Sequence, residues 1–281
     1  MTKVINKLFG GINMTWPKVI IFAIITGVYG GLINQVPFLQ NTSFTDIAVT
    51  FEAWMLFAVI IAVNSKGPFD SGFKIFVFFL ISQPVFFLVE TPFLGLDVWT
   101  YYQRWFFITL ATLPGGIIAY FIKKNNILGA LILSVATVLL GLGATDYVLK
   151  FVVYEFPRHL LTVIFCLAQI VLYIAVIVKN KKLKALVALI TVLAMGGMSV
   201  YTLVIESNIA SSLPEVANWS CTLEDESNCR VEINGDQFTY YYNYFAKDNT
   251  ITFADENGEK VVYTISFEDK HIPVIDSDVF H

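Results

Sequence analysis

Up to about residue 205 the chain alternates long apolar runs with short polar segments, and beyond it the runs become short and alternate residue by residue. The clearest pair is WFFITLATLPGGIIAYFI and ILGALILSVATVLLGLGAT, separated only by Lys123, Lys124, Asn125 and Asn126. Each run is long enough to cross a hydrocarbon core of about 30 Å as a helix. Neither presents the polar face that a soluble helical hairpin needs, so the pattern predicts lipid as the surrounding solvent.

The same reading gives further spans at 20–38, 47–63, 73–89 and 159–178, and a last one ending near 205. The segment DYVLKFVVYEFPRH is too interrupted by charge to span and is expected to lie along the membrane interface. About seven crossings result. The first is longer than the apolar core of a cleaved signal peptide and is read as retained. Lys3, Lys7, Lys18, Lys66, Lys74, Lys123, Lys124 and the KNKKLK stretch fall in alternate loops. The excess of Lys in alternate loops predicts a cell-membrane protein with a cytoplasmic N-terminus and an external C-terminus. Lys150 and Arg158 oppose this pattern, beside Asp146 and Glu155.

After the helical domain (1–205) the sequence predicts a linker (206–218) and a small antiparallel β meander (219–281). Asn234-Gly235 and Asn257-Gly258 lie between runs rich in Val, Thr, Tyr and Phe, the strongest short-range cue for hairpins. Alternation places Tyr240, Tyr242 and Tyr244 on one face and Tyr241 on the other, and at least one face is expected to be core. The fold class expected is therefore a membrane all-α bundle of about seven transmembrane helices followed by a small antiparallel β extracytoplasmic domain.

Composition agrees with the pattern: 56% of residues are hydrophobic and 14% charged, with a mean hydropathy of +0.67. So few charges could not cover the surface of a soluble chain of 281 residues. The net charge of -4 hides a division, since most basic residues precede Glu206 and most acidic ones follow it. An acidic tail repels phosphate, which argues against nucleic acid as a partner. The partners expected are the lipid bilayer, a small solute or ion, and a partner subunit. Cys221 and Cys229 flank a short acidic loop and are expected to close a disulfide if their domain is external. Asn218-Trp219-Ser220 fits a glycosylation acceptor.

Ionisable groups within apolar runs are the natural candidates for function, because a charge at mid-membrane costs at least about 2.5 kcal/mol on insertion scales. Glu52 is the leading one, as a cation or proton site. Glu90, Asp97 and Arg104 border one outer loop, while Asp146, Glu155, Lys150, Arg158 and His159 border another. His159 has no second histidine or cysteine at ligand spacing, so no metal site is expected. His271 and His281 read as exposed tail residues. Gln83-Pro84 and Pro114-Gly115-Gly116 are expected to interrupt the third and fourth spans and free backbone carbonyls for a solute.

Hydrolase, zinc-protease and phosphate-loop signatures are absent, and nothing implies a cofactor. Two functions fit this pattern: a small-solute or ion transporter or solute-binding membrane component, and a cell-envelope sensor or interaction protein acting through the external β domain.

Overall fold

The computed structural model describes residues 2–40, 42–153, 158–213, 219–256, 258–267 and 274–278. The chain divides into two compact units, Met1–Gly197 and Met198–His281.

The first unit contains α1 (Thr2–Leu8), α2 (Trp16–Asn34), α3 (Ser43–Val49), α4 (Phe51–Asn64), α5 (Pro68–Leu94), α6 (Val98–Ala119), α7 (Ile127–Val153), α8 (Leu160–Val176) and most of α9 (Lys181–Val204). Proline in the first turn starts α2 and α5, where the missing N–H is not needed. Gly95, at φ 81°, ends α5.

By length and composition, five helical stretches can cross a membrane: Trp16–Asn34, Pro68–Leu94, Val98–Lys123, Ile127–Leu149 and Lys181–Val204. The pair α3 and α4, bent by 44°, makes a sixth if counted as one span. These apolar helices are consistent with a multi-pass membrane location. The expectation of seven is not met among the described residues. The run at 159–178 yields α8, whose 17 residues reach only about 25 Å and fall short of a hydrocarbon core. The segment at 146–153, expected to leave the bundle, instead continues α7 to Val153. No proline or glycine intervenes there, and Asp146 and Lys150 lie four residues apart, a spacing helices accept.

Two further expectations fail in the same way. Pro84 and Pro92 lie inside α5, and Pro114 lies inside α6, and both helices run on through them. Neighbouring helices in close contact hold the backbone in register where a proline removes one hydrogen bond.

α5 is the central element. Gly27 and Gly31 of α2 lie so close to it that a Cβ there would meet Ser82 O at 2.5 Å and Phe86 O at 2.9 Å. On its other side Gly72 approaches Gly116 of α6, where a Cβ at Gly116 would stand 2.9 Å from Gly72 Cα. Small residues thus bring three backbones together, the packing available where no hydrophobic effect drives helices into contact. Phe22, Trp54, Phe57, Phe78 and Phe79 fill the adjoining core with ring contacts of 4.9 to 6.3 Å. On α7, Thr137 Oγ1 lies 2.8 Å from Thr191 Oγ1 of α9, and Val187 and Thr191 are the buried residues of that helix.

The second unit holds β1 (Ser207–Ser212), β2 (Ser220–Leu223), β3 (Cys229–Asn234), β4 (Gln237–Tyr242), β5 (Asn249–Ala254), β6 (Lys260–Ser266) and β7 (Val274–Asp278). All pairings are antiparallel, in two sheets of order β1-β4-β3 and β2-β5-β6-β7. A simple meander is therefore replaced by two sheets packed face to face. Phe238 of β4 meets Phe253 of β5 at 4.8 Å and Tyr263 of β6 at 4.9 Å.

Residues 207–212, expected within a linker, form β1 and pair with β4 in register Ser207↔Tyr242 to Ser212↔Gln237. Their small polar side chains carry no alternation signal, so pairing rather than pattern makes them a strand. Gly235 and Gly258 adopt φ 65° and 87°, as the predicted turns require. Glu155, Asn218, Asn257, His271 and His281 lie outside the described residues.

Phe253, fully buried between the sheets, supplies the simplest check of the division into units. Phe253→Ala is expected to cost about 3–5 kcal/mol, enough to unfold so small a β unit. Limited proteolysis should then degrade the chain beyond residue 206 while the helical unit keeps its melting temperature.

Candidate functional site

Between α4, α5, α6 and α7 lies a cleft of about 570 Å³. Its inner wall is made by Trp54, Val59, Ile75, Gln83, Thr109 and Ile122, all buried. Its rim includes Trp105, Ile108, Ile118, Val135 and Leu139, all exposed. The cleft thus opens between α6 and α7 on an apolar flank. Gln83, only 7% exposed, Thr109 and Thr112 are among its lining residues, but the surface the cleft presents is almost wholly apolar. Thr112 Oγ1 already donates to Thr109 O at 2.6 Å. A larger hollow of about 730 Å³ lies between residues 125–128 and 180–186. Exposed loop and helix-end residues dominate its lining, so it lacks the buried polar group that would fix a ligand.

Of the residues expected to form a solute site, Gln83, Gly115 and Gly116 share this cleft. Gly116 also serves packing: its carbonyl accepts from Ser71 Oγ at 2.7 Å, and its missing Cβ admits Gly72. Pro84 and Pro114 do not line the cleft and act as tolerated helix residues. Glu90 is buried elsewhere, near the C-terminal end of α5. There Asn34 Nδ2 donates to its Oε1 at 2.5 Å and Gln35 Nε2 at 3.1 Å, tying the end of α2 to α5.

Glu52 lies just beyond the bend between α3 and α4 and is 2% exposed. Its carboxylate accepts from the Thr50 hydroxyl. Its backbone carbonyl accepts from Gln169 Nε2 at 3.1 Å, and Tyr173 OH donates to Gln169 Oε1 at 2.7 Å. α7 approaches the carboxylate at Gly143, where a Cβ would lie 3.0 Å from Glu52 Oε1. Glycine there makes room for a buried carboxylate, a requirement the spacing of glycines along the sequence does not disclose.

On the other side of the bend, Asp46 of α3 forms a network with α8. His159 Nδ1 lies 2.7 Å from Asp46 Oδ2, and Thr162 Oγ1 donates to the same oxygen at 2.8 Å. The imidazole stacks on Tyr147 of α7, with centroids 5.4 Å apart and planes 26° apart. Ser43 completes the joint, accepting from the Thr162 N–H at 3.0 Å and donating to Arg158 O at 3.0 Å. The Thr162 N–H is thus shared between this hydroxyl from α3 and the His159 carbonyl, at 3.1 Å.

The bend has its own chemistry. Thr50 is extended, at ψ 170°, which leaves the Val49 carbonyl without its helical partner. The indole N–H of Trp54 donates to that carbonyl at 3.2 Å. Trp54 is also part of the cleft wall, so the bend and the cleft share a side chain. Sequence reading misses this arrangement because Asp46 and His159 stand 113 residues apart. The only local hint is two carboxylates six positions apart on either side of Thr50.

Among the described residues no group of three or more His, Cys, Asp or Glu side chains is placed to hold a metal ion.

In the β unit, Cys221 lies on β2 of one sheet and Cys229 on β3 of the other. The disulfide expected between them is not formed, and both are free thiols. Cys229 Sγ is 2.8 Å from Asp225 O and accepts from Asn249 Nδ2 at 3.0 Å, so it is held by the loop rather than by Cys221. Burial, with Glu226 nearby, pushes the Cys221 thiol up to about 11. Tyr240 and Tyr242 point into the core, whereas Tyr241 lies under the Arg230 guanidinium at 4.0 Å.

Comparison with known protein families, with characterised proteins and with solved structures finds no match.

Two outcomes follow from this geometry. Gly116→Ala is expected to cost about 1–3 kcal/mol by overpacking, lowering the melting temperature in detergent. Gly115→Ala, with nothing within 4 Å of its Cβ, should be neutral or stabilising by up to about 1 kcal/mol. In the reduced protein, alkylation of Cys221 at pH 8 should run about a hundredfold slower than for a thiol of ordinary pKa. Its rate should rise about tenfold per pH unit up to the shifted value, as followed by mass spectrometry.

Proposed function

We propose that the chain is a multi-pass membrane protein that binds a small apolar or amphipathic solute from the bilayer, as a transporter or the solute-binding component of one. The observation that carries this reading is the cleft between α4, α5, α6 and α7: an almost wholly apolar wall, with Gln83 and Thr109 as buried polar residues in its lining, and an exposed apolar rim. Solute pockets are mostly apolar, with a few placed polar groups that fix orientation. A mouth on an apolar flank favours a solute that partitions into lipid over a hydrophilic one.

The lysine-rich loops support a cytoplasmic N-terminus and an extracytoplasmic β unit in this reading. For the alternative, a sensor acting through the β unit, the tyrosine-rich run of β4 gives little support, because Tyr240 and Tyr242 form core rather than a recognition face.

The test uses the full chain in vesicles containing a trace of diazirine-bearing palmitic acid, photolysed and mapped by mass spectrometry. Labels are expected to concentrate on the cleft residues of α4 to α7. Filling the cleft with Ala136→Phe should reduce them about tenfold or more, as expected when a pocket is occupied. Uniform labelling of all exposed apolar faces, unchanged in the variant, would count against the reading.

A further inference from the structure

The network joining α3 to α8 is a pair of half-buried titratable side chains beside a helix break, linked to the cleft through a single intermediate. We propose that the Asp46–His159 pair is a proton-binding site, and that its protonation sets the bend at Thr50 and with it the position of Trp54 in the cleft wall. This rests on the solute reading only for its consequence, proton-linked binding; the proton site itself stands on the geometry of the joint.

Asp46 Oδ2 is 2.7 Å from His159 Nδ1, and the two side chains are only 12% and 16% exposed. Histidine is the side chain whose charge ordinarily changes between about pH 5 and 8. With the ring protonated, a charge-assisted bond holds α3 against the start of α8. With the ring neutral, the contact keeps its hydrogen bond and loses its ionic part. The other ionisable groups around the pair are Glu52 of α4, Asp146 and Tyr147 of α7, and Cys166 of α8. Arg158 precedes the histidine in the chain, and Lys150 lies on α7. Asp46 is the carboxylate in direct contact with the imidazole.

The link to the cleft is covalent and short. Asp46 lies three residues before Val49, whose carbonyl accepts the Trp54 indole N–H at 3.2 Å. Thr50 Oγ1 lies between Asp46 O and Glu52 Oε2, which share its one proton, so a shift of α3 relative to α8 bears directly on the two residues that shape the bend. Trp54 stacks on Phe79 at 5.7 Å, and both line the cleft. A two-state joint biased by one proton is sufficient to move that wall.

The experiment follows the Trp54 indole N–H by NMR in the full chain, ¹⁵N-labelled at tryptophan and held in lipid nanodiscs. Trp54→Phe assigns it among five indoles. The Trp54 signal is expected to titrate as a single proton between about pH 5 and 8, moving upfield as pH rises and the bond to Val49 loosens. His159→Gln should abolish the titration, and Asp46→Asn should abolish it or move its midpoint by about one unit or more. A static Trp54 signal overturns the proposal, as does an unchanged midpoint in a folded variant. If His159→Gln does not fold, Asp46→Asn decides in the same terms.

Photolabelling by the palmitic acid probe at the two ends of the titration separates this proposal from the solute reading. A change of about twofold or more in cleft labelling supports proton linkage. Equal labelling at both ends overturns the coupling and leaves the solute reading standing. No cleft labelling at any pH, in a chain whose Trp54 signal still titrates, overturns the solute reading and leaves the proton site.

Discussion

A polar group buried among these apolar helices can pair only within the protein, because neither a hydrophobic core nor a bilayer supplies hydrogen bonds, and Ser82 Oγ of α5 is buried without such a partner. Most of the helical unit satisfies this by keeping its backbone helical even through Pro84, Pro92 and Pro114. Where the backbone does break, at Thr50, a side chain replaces the missing donor: the Trp54 indole serves the Val49 carbonyl. At the start of α8 the Ser43 hydroxyl joins the His159 carbonyl in accepting from the Thr162 N–H. The buried carboxylates follow the same rule, Glu90 between two amides of α2 and the segment after it, and Asp46 between an imidazole and a hydroxyl. Buried polar side chains occur both at its joints, as at Ser43 and Glu52, and within its helices, as at Ser71, Gln83, Thr137 and Thr191.

The apolar runs were legible in the sequence because length and continuity alone decide whether a helix can live without a polar face. The β unit was legible where glycine at a turn and alternating side chains coincided, as at Gly235 and along β4. Less visible were features fixed by contact. β1 has no pattern of its own and becomes a strand by pairing with β4. Pro84 and Pro114 read as breaks because local sequence contains the breaker but not the neighbouring helices that offset it. The bend came instead at Thr50, a residue with modest local bias.

The candidate site was legible in part. Gln83, Gly115 and Gly116 do share a cleft, since they lie on adjacent helices. Glu52 and Glu90 carry the signature of charge in an apolar run, yet the sequence places neither relative to the cleft. His159 looked solitary because its partner is reached only by folding α3 onto α8. The glycines mislead in the opposite direction. Gly116 beside a proline suggests flexibility, whereas its function in the fold is to let α6 lie against Gly72 of α5.

That glycine-to-backbone contact makes the cleft mechanically lopsided. α2, α5 and α6 touch through main chain at Gly27, Gly31, Gly72 and Gly116, and such seams have almost no slack, because sliding would drive carbonyls into Cα atoms and spreading would forfeit the close packing. α4 and α7 face them largely through side chains, which can change rotamer at small cost. The chamber therefore resembles a bench vice: one jaw is fixed to the frame, and any change in its bore comes from travel of the other.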